Sequence, residues 1–270
     1  MSCNALLKES IAASLETNVE LLGYMPELLE DLEGLGTDPD RIVDLLRPLL
    51  PLNAQVLDLA CGKGAVSTAL ALHLGCHTLG IDAMPDFIEQ ARFMAAQQGV
   101  ASLCRFEVGD IRDYSPSECI FDAVIFGAAG AVLGTLTETV GRLRRMVKPG
   151  GLILLDDGWR VPHRIGADGA GRLCSDHEPL RTALTAYGDE IIIEDMLSTE
   201  KLYHDNAHNN ARIHERANVL TEKHPEDAAK ICAYVSRQLY ECYLLEHEYQ
   251  CAQWIIRTKV YPETSDDCEA

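Results

Sequence analysis

No two cysteines in this chain are spaced as C-x-x-C, although ten are present. They are scattered and suggest no disulfide framework. Cys61, Cys104, Cys232 and Cys242 fall in strand, turn or helix patterns where a small apolar side chain fits. A reducing, cytoplasmic setting is the simplest expectation. The opening MSCNALLKES lacks a basic stretch followed by an apolar run, so no signal peptide is expected. No uninterrupted apolar run reaches the roughly 18 residues of a membrane span. The longest candidate, Ala123 to Gly134, is mostly Ala and Gly and reads as a strand and its loop, so no membrane insertion is expected. A basic patch is missing too. The formal net charge is −19, and the densest basic cluster, Arg142, Arg144 and Arg145, reads as part of an ordinary surface helix. So acidic a surface repels phosphate backbones, which argues against nucleic acid and for a small-molecule partner. Repeats and low-complexity segments are absent, apart from a polar tail at 263–270 that is expected to fray.

What is present is ordinary globular composition: 270 residues, 47% apolar and 24% charged. That length suits one large domain or a domain with an insertion. The first thirty-odd residues have a helical pattern broken at Gly23 and at Gly34-Leu35-Gly36, an N-terminal cap over 1–37. Asp38 reads as an N-cap with Pro39 at the first helical position. Apolar strands are then expected at 54–60, 77–82, 103–108, 121–127 and 151–157, with amphipathic helices between them at about 64–73, 85–98 and 135–146. In the second of these helices Phe87, Ile88, Ala91, Met94 and Ala95 are expected to face inward. Strands alternating with single helices imply right-handed crossovers and a doubly wound, mainly parallel α/β sheet, with ligands at the carboxyl ends of its strands.

A helix at about 178–187 leads to a sixth strand, Glu190 to Leu197, and QCAQWIIRTKVY supplies a seventh. Between them lies a helical insertion, 199–249, that divides the core into 38–198 and 250–262. Its last helix is expected to begin at Pro225, with Glu226 and Asp227 in the first turn and Ala228, Ile231, Cys232, Val235, Leu239 and Cys242 on one stripe.

The stretch VLDLACGKGAVS reads as a buried strand, a glycine turn and a helix start, the layout of a nucleotide cradle. Gly62 and Gly64 let a ligand approach the backbone, but a dinucleotide fingerprint would need a third glycine where Ser67 stands. Asp58 in the same turn repels a pyrophosphate and suits a ligand with a positive amino group. Asp82, ending the second strand in LGIDAMP, can accept both hydroxyls of a ribose. Asp110, in VGDIRDY after the third strand, can accept from an adenine amino group, with Ile111 against the ring. Taken singly, each acid reads more simply as a capped turn or surface charge. Their recurrence after three successive strands argues for a site.

The ordered series LDLACGKG, GIDAMP, FEVGDIRDY, FDAVIFGAAGAV and LRRMVKPGGLILLDDGW resembles the class I S-adenosylmethionine-dependent methyltransferases over residues 38–160. The resemblance implies a seven-stranded Rossmann-like fold with S-adenosyl-L-methionine as cofactor. It places Asp58, Ala60, Gly62 and Gly64 at the methionine end, Asp82, Ala83 and Met84 at the ribose, Asp110 and Ile111 at the adenine, and Gly127 close by after the fourth strand. Ala60 stands where the family usually has Gly, and its methyl is tolerable with a negative φ.

The acceptor is less legible. The insertion resembles, in placement and helical character, the active-site cover of small-molecule methyltransferases and of the cyclopropane-forming branch. A loop Asp157-Gly158-Trp159-Arg160 is expected to line the acceptor pocket, although Trp159 can also simply plug the sheet edge. In YHDNAHNNARIHERAN, Tyr203, His208 and Arg212 are the candidates for orienting the substrate or taking its proton, against the plain alternative of an exposed helix face. His204 and His208 have metal-ligand spacing without further partners in register. Asp156 and Asp157 alone make a weak cation site, so no metal is expected. The reading is methyl transfer to a small amine, hydroxyl or activated-carbon acceptor. The alternatives are cyclopropane-type lipid modification, a dinucleotide-dependent oxidoreductase, or a non-catalytic binder of the same cofactor.

Overall fold

The computed structural model describes residues 3–116, 119–161 and 177–260. Helix α1 (Cys3–Ser14), a 3-10 segment (Val19–Tyr24) and the short α2 (Met25–Leu28) precede α3 (Pro39–Leu46). Gly23 lies inside the 3-10 segment rather than ending a long helix. The core alternates as β1 (Gln55–Leu59), α4 (Ala65–Leu74), β2 (His77–Asp82), α5 (Pro85–Gln97), β3 (Cys104–Val108), β4 (Phe121–Phe126), α6 (Leu136–Leu143) and β5 (Val147–Arg160). Then come α7 (His177–Leu184), β6 (Glu190–Met196), α8 (Thr199–Lys223), α9 (Ala228–His247) and β7 (Tyr249–Arg257). The expected tail at 263–270 lies outside the described residues.

The strands form one sheet in the order β3-β2-β1-β4-β5-β7-β6. β1 pairs in parallel with β2 and β4, and β7 runs antiparallel to both β5 and β6. The antiparallel strand follows from the insertion. β6 delivers the chain to the carboxyl edge, the paired helices α8 and α9 return it to that edge, and β7 can only run back down. The expected doubly wound, mainly parallel fold is the one found.

Both faces of the sheet are covered, which is why its strand cores are apolar on successive residues. On one face Leu57, Leu59, Val124, Ile153 and Leu155 pack against Val140 and Leu143 of α6 and Leu180 and Leu184 of α7. On the other, Val56, Ile125, Leu152 and Leu154 meet Ile42, Val43 and Leu46 of α3 and Val66 and Leu70 of α4. Each such buried side chain contributes about 1.5–3 kcal/mol. Asp38 Oδ1 caps α3, accepting from the amides of Asp40 at 3.0 Å and Arg41 at 3.3 Å.

Several local expectations are corrected. α9 starts at Ala228, so Pro225, Glu226 and Asp227 form the preceding turn. Its buried residues are Ile231, Tyr234 and Leu244, while Cys232 and Leu239 are exposed. Met94 of α5 is also exposed, because Ile88, Ala91 and Ala95 already fill that helix's contact with α4 and β3. Arg144 is no ordinary surface residue. It forks onto the fully buried Asp189 carboxylate at 2.9 and 3.0 Å, fastening the end of α6 to the turn before β6.

Candidate active site

Asp58 sits one residue before the end of β1, 4% exposed, and accepts from Ser67 Oγ of α4 at 2.7 Å. Burial pushes its carboxyl up to about 7, against the Ser67 hydrogen bonds, and the nearby Asp82 adds to the shift. Asp82 ends β2. Its Oδ2 accepts from the Gly62 amide at 2.9 Å and its Oδ1 from the Met84 amide at 2.8 Å. Burial raises this carboxyl also, opposed by those backbone amides. The turn after β1 and the turn after β2 are therefore tied into one cradle through a single carboxylate.

Gly62 has φ +51° and Gly64 has φ +73°, conformations that glycine adopts without penalty. Gly64 also has no room for a side chain, because a β-carbon there would lie 2.7 Å from the Phe106 ring. Ala60 departs from its expected negative φ: it sits at +57°. Its methyl is strained against the backbone at a cost of about 1 kcal/mol. Met84 and Ile111 are buried. Met84 packs with Leu21, Met25, Leu28 and Phe87, and Ile111 with the β-sheet core. Ala83 is half-buried between Asp82 and Met84. Asp110 is gripped by Arg112, whose Nε lies 2.9 Å from Oδ1 and Nη2 2.6 Å from Oδ2. That fork holds its carboxyl below the usual range. A ligand at Asp110 therefore has to share the carboxylate with Arg112.

A strap formed by residues 29–37 crosses this edge. Lys63, between the two glycines, is 7% exposed and donates to the carbonyls of Leu29 at 2.8 Å, Glu30 at 3.1 Å and Leu32. Burial lowers its pKa, opposed by Asp31, Glu30 and Glu33. Leu35 lies over Gly62, where a β-carbon would come within 3.0 Å of its Cδ1. Gly127, after β4, is glycine for a similar reason: a β-carbon would collide with Thr37 Oγ1. Thr37 in turn donates to Asp156 Oδ2 at 2.6 Å. Arg216 of α8 forks onto Asp31 at 2.5 and 2.6 Å, so the strap is joined to α8. One hydrophobic cluster unites Leu21, Met25 and Leu28 with Ile213, Ala217 and Leu220 of α8 and Ile231 and Tyr234 of α9.

The acceptor candidates fare differently. Asp157-Gly158-Trp159-Arg160 is not a loop. These residues continue β5 and pair with β7, from Asp157↔Ala252 to Arg160↔Tyr249. Trp159 packs its ring against His177 at 4.5 Å and Trp254 at 6.1 Å, filling the sheet edge. Arg160 pairs with Glu248 at 3.0 Å, and Asp157 Oδ1 accepts its neighbour's amide, Gly158 N, at 2.7 Å. Tyr203, His208 and Arg212 are all exposed on α8, which buries Ile213, Ala217 and Leu220 instead. At 100° per residue His208 and Arg212 point away from that stripe, and Tyr203, 59% exposed, lies on its shoulder. His204 is exposed as well, and no three metal-ligating residues converge among the described residues.

Thr37 and Lys63 are residues the sequence did not single out, while Asp156 was weighed only as half of a weak cation site and Ser67 only as a missing third glycine. Lys63 carried one signal, a cation placed between two turn glycines. Thr37 carried none. A cavity of about 240 Å³ between the 3-10 segment and α9 is lined by Thr17, Asn18, Leu21, Lys230, Tyr234 and Arg237, and no strand-tip residue reaches it.

Comparison with known proteins agrees with this geometry. The methyltransferase domain family matches residues 52–220, and the chain belongs to that family. It is 29% identical over 120 residues to 24-methylenesterol C-methyltransferase 2 of Oryza sativa subsp. japonica, covering 44% of this chain and 32% of that protein. It is 32% identical over 101 residues to the chloroplastic tocopherol O-methyltransferase of Arabidopsis thaliana, covering 37% and 29% respectively. The chain thus spans about a third of the length of these curated relatives. A SAM-dependent methyltransferase from Thiobacillus denitrificans, crystallised with S-adenosyl-L-homocysteine, superposes with a TM-score of 0.72 at 21% identity, over 87% of this chain and 98% of that one. That likeness is one of fold.

Proposed function

We propose that this chain binds S-adenosyl-L-methionine along the carboxyl tips of β1 to β4 and transfers its methyl group to a small-molecule acceptor beneath the strap and the α8–α9 cover. The observation that carries the reading is the pair Asp58 and Asp82. These are a buried and a half-buried carboxylate on neighbouring strand ends, both raised by desolvation, and both favoured by a ligand that brings donors or positive charge. Asp58 faces the amino group of the methionyl end, the free lone pairs of Asp82 take the ribose hydroxyls, and Asp110 with Ile111 borders the adenine. Ala60, Gly62, Gly64, Ala83, Met84 and Gly127 form the walls. When bound, the cofactor supplies a methyl group on a sulfonium. The protein's share is to hold an acceptor in line with it and keep water out.

The cap over 1–37 and the cover over 199–249 act together as the roof of the core formed by 38–198 and 250–262. The net charge of −19 and the absence of a basic patch support a small acceptor and no nucleic acid. Among the described residues no helix is long and apolar enough to cross a membrane. A cytoplasmic setting is part of the same proposal.

Calorimetry with S-adenosyl-L-homocysteine tests the reading. Saturable binding with a matching rise in melting temperature is expected. No binding would remove it, and binding with nicotinamide dinucleotide instead would favour an oxidoreductase.

A further inference from the structure

Asp156 is half-buried at the strand tips, with its Oδ1 enclosed, and has no part in the cofactor assignment. The β4–β5 ladder ends at Phe126↔Leu155, which sets Asp156 beside Gly127 at the level where β4 leaves the sheet. Its Oδ2 accepts from Thr37, but its Oδ1 is buried and has no partner among the described residues. Its cross-strand neighbour on β7, Gln253, is 1% exposed, and Gln253 Oε1 is likewise buried without a partner. Folded proteins leave few buried acceptors unsatisfied. Two on one cross-strand pair, on one face of the sheet, leave acceptor positions open to a donor from outside the chain. Thr37, the Gln253 side chain and the Ala128 amide bring hydrogen-bond donors to the carboxylate and Asp157 lies beside it, so its neighbours within the chain supply donors but no cation. Burial pushes Asp156 up to about 6, so it is largely charged at neutral pH and lacks a counter-ion. A neutral hydroxyl would supply a donor and leave the charge uncompensated, whereas an ammonium supplies both. The chain's charge of −19 also draws cations to it.

Resting on the methyltransferase reading above, we propose that Asp156, with its second oxygen fixed by Thr37, binds a small primary or secondary amine and takes its proton. The amine enters as an ammonium. One N–H bond breaks, the proton moves to Asp156 Oδ1, and the electron pair stays on nitrogen. That pair forms the bond to the methyl carbon as the carbon–sulfur bond breaks, its electrons passing to sulfur. The product leaves as a methylated ammonium, and Asp156 returns its proton to solvent.

The test uses the full chain, deuteromethyl-labelled S-adenosyl-L-methionine, and a panel of small primary and secondary amines paired with their hydroxyl isosteres. Wild type should label amines. Asp156→Asn should lose about 100-fold or more in kcat with unchanged affinity for S-adenosyl-L-homocysteine. Thr37→Val, which removes a donor that favours the charged carboxylate, should move the acid limb of the kcat/KM profile to higher pH. Wild-type rates in Asp156→Asn would overturn the proposal and leave the orphan acceptors to a structural water. Labelling confined to hydroxyl isosteres, or absent across the panel, would overturn it as well. Failure of wild type to bind S-adenosyl-L-homocysteine would instead strike the methyltransferase reading, and this proposal with it.

Discussion

The strand-tip edge proposed for the cofactor and the proposed roof above it are built by different means. At the edge, each residue proposed for the cofactor is set by its own neighbours: Asp58 by β1, Gly62 and Gly64 by the turn that follows, Asp82 by the amide two residues on. In the roof, the working contacts join residues far apart in sequence. Thr37 meets Asp156 across 119 positions, and Arg216 meets Asp31 across 185. Lys63 belongs to both, a turn residue whose ammonium holds the strap. A motif can therefore be read where local geometry dictates the residue type. It cannot be read where the partner comes from another element.

Five measurements would break or sharpen that contrast. The largest effect is expected at the edge: Asp82→Ala removes the carboxylate that ties the two turns, and affinity for S-adenosyl-L-homocysteine should fall about 100-fold, roughly 3 kcal/mol, by calorimetry. Lys63→Met tests the junction. Three backbone carbonyls lose their shared donor, so stability in chemical denaturation should drop by about 2 kcal/mol. Glu-directed proteolysis near Glu30 and Glu33 should also quicken.

The third measurement concerns Asp58. Its folded pKa of about 7 lies above the 3.8 of an ordinary aspartate side chain. Between those values the folded state binds more protons than the unfolded one, so the buried carboxyl's stabilising contribution is complete at acid pH and declines as pH rises through about 7. Asp58→Asn lacks this loss. Its melting temperature relative to wild type should therefore climb between pH 5 and pH 8, by about 5 °C. A constant gap would show that the carboxylate is solvated.

Smaller still, Ala60→Gly relieves a φ of +57° and should stabilise the apo protein by about 1 kcal/mol, read as a higher denaturation midpoint. The smallest effect is expected on the outer face of α8. His208→Ala and Arg212→Ala should each leave stability within about 0.5 kcal/mol of wild type and methyl transfer unchanged. A loss of activity there would return those residues to the acceptor site.

These contrasts also explain which sequence expectations met the structure. The order of strands and helices and the Asp38 cap followed from periodicity and turn chemistry, which act over a few residues, and the family from the resemblance of the ordered motif series. Ala60 was misjudged because the local motif names the residue type usual there and does not reveal the dihedral that requires it. The segment 157–160 looked like a loop because nothing within it announces β7, its pairing strand about ninety positions on. The polar run at 203–218 looked purposeful by composition alone. Its inward face was decided by which side chains could join Leu21, Met25 and Leu28 of the N-terminal segment.

Sequence alone determined the α/β alternation, the glycine turn with its acid, and the two further acids after successive strands. Apolar periodicity and backbone sterics leave few other outcomes for such segments. Only the tertiary structure decided that Thr37 and Asp156 meet, that Lys63 holds the strap, and that the histidines of α8 face solvent. Those outcomes depend on burial, and burial belongs to the packed assembly of elements rather than to any one of them.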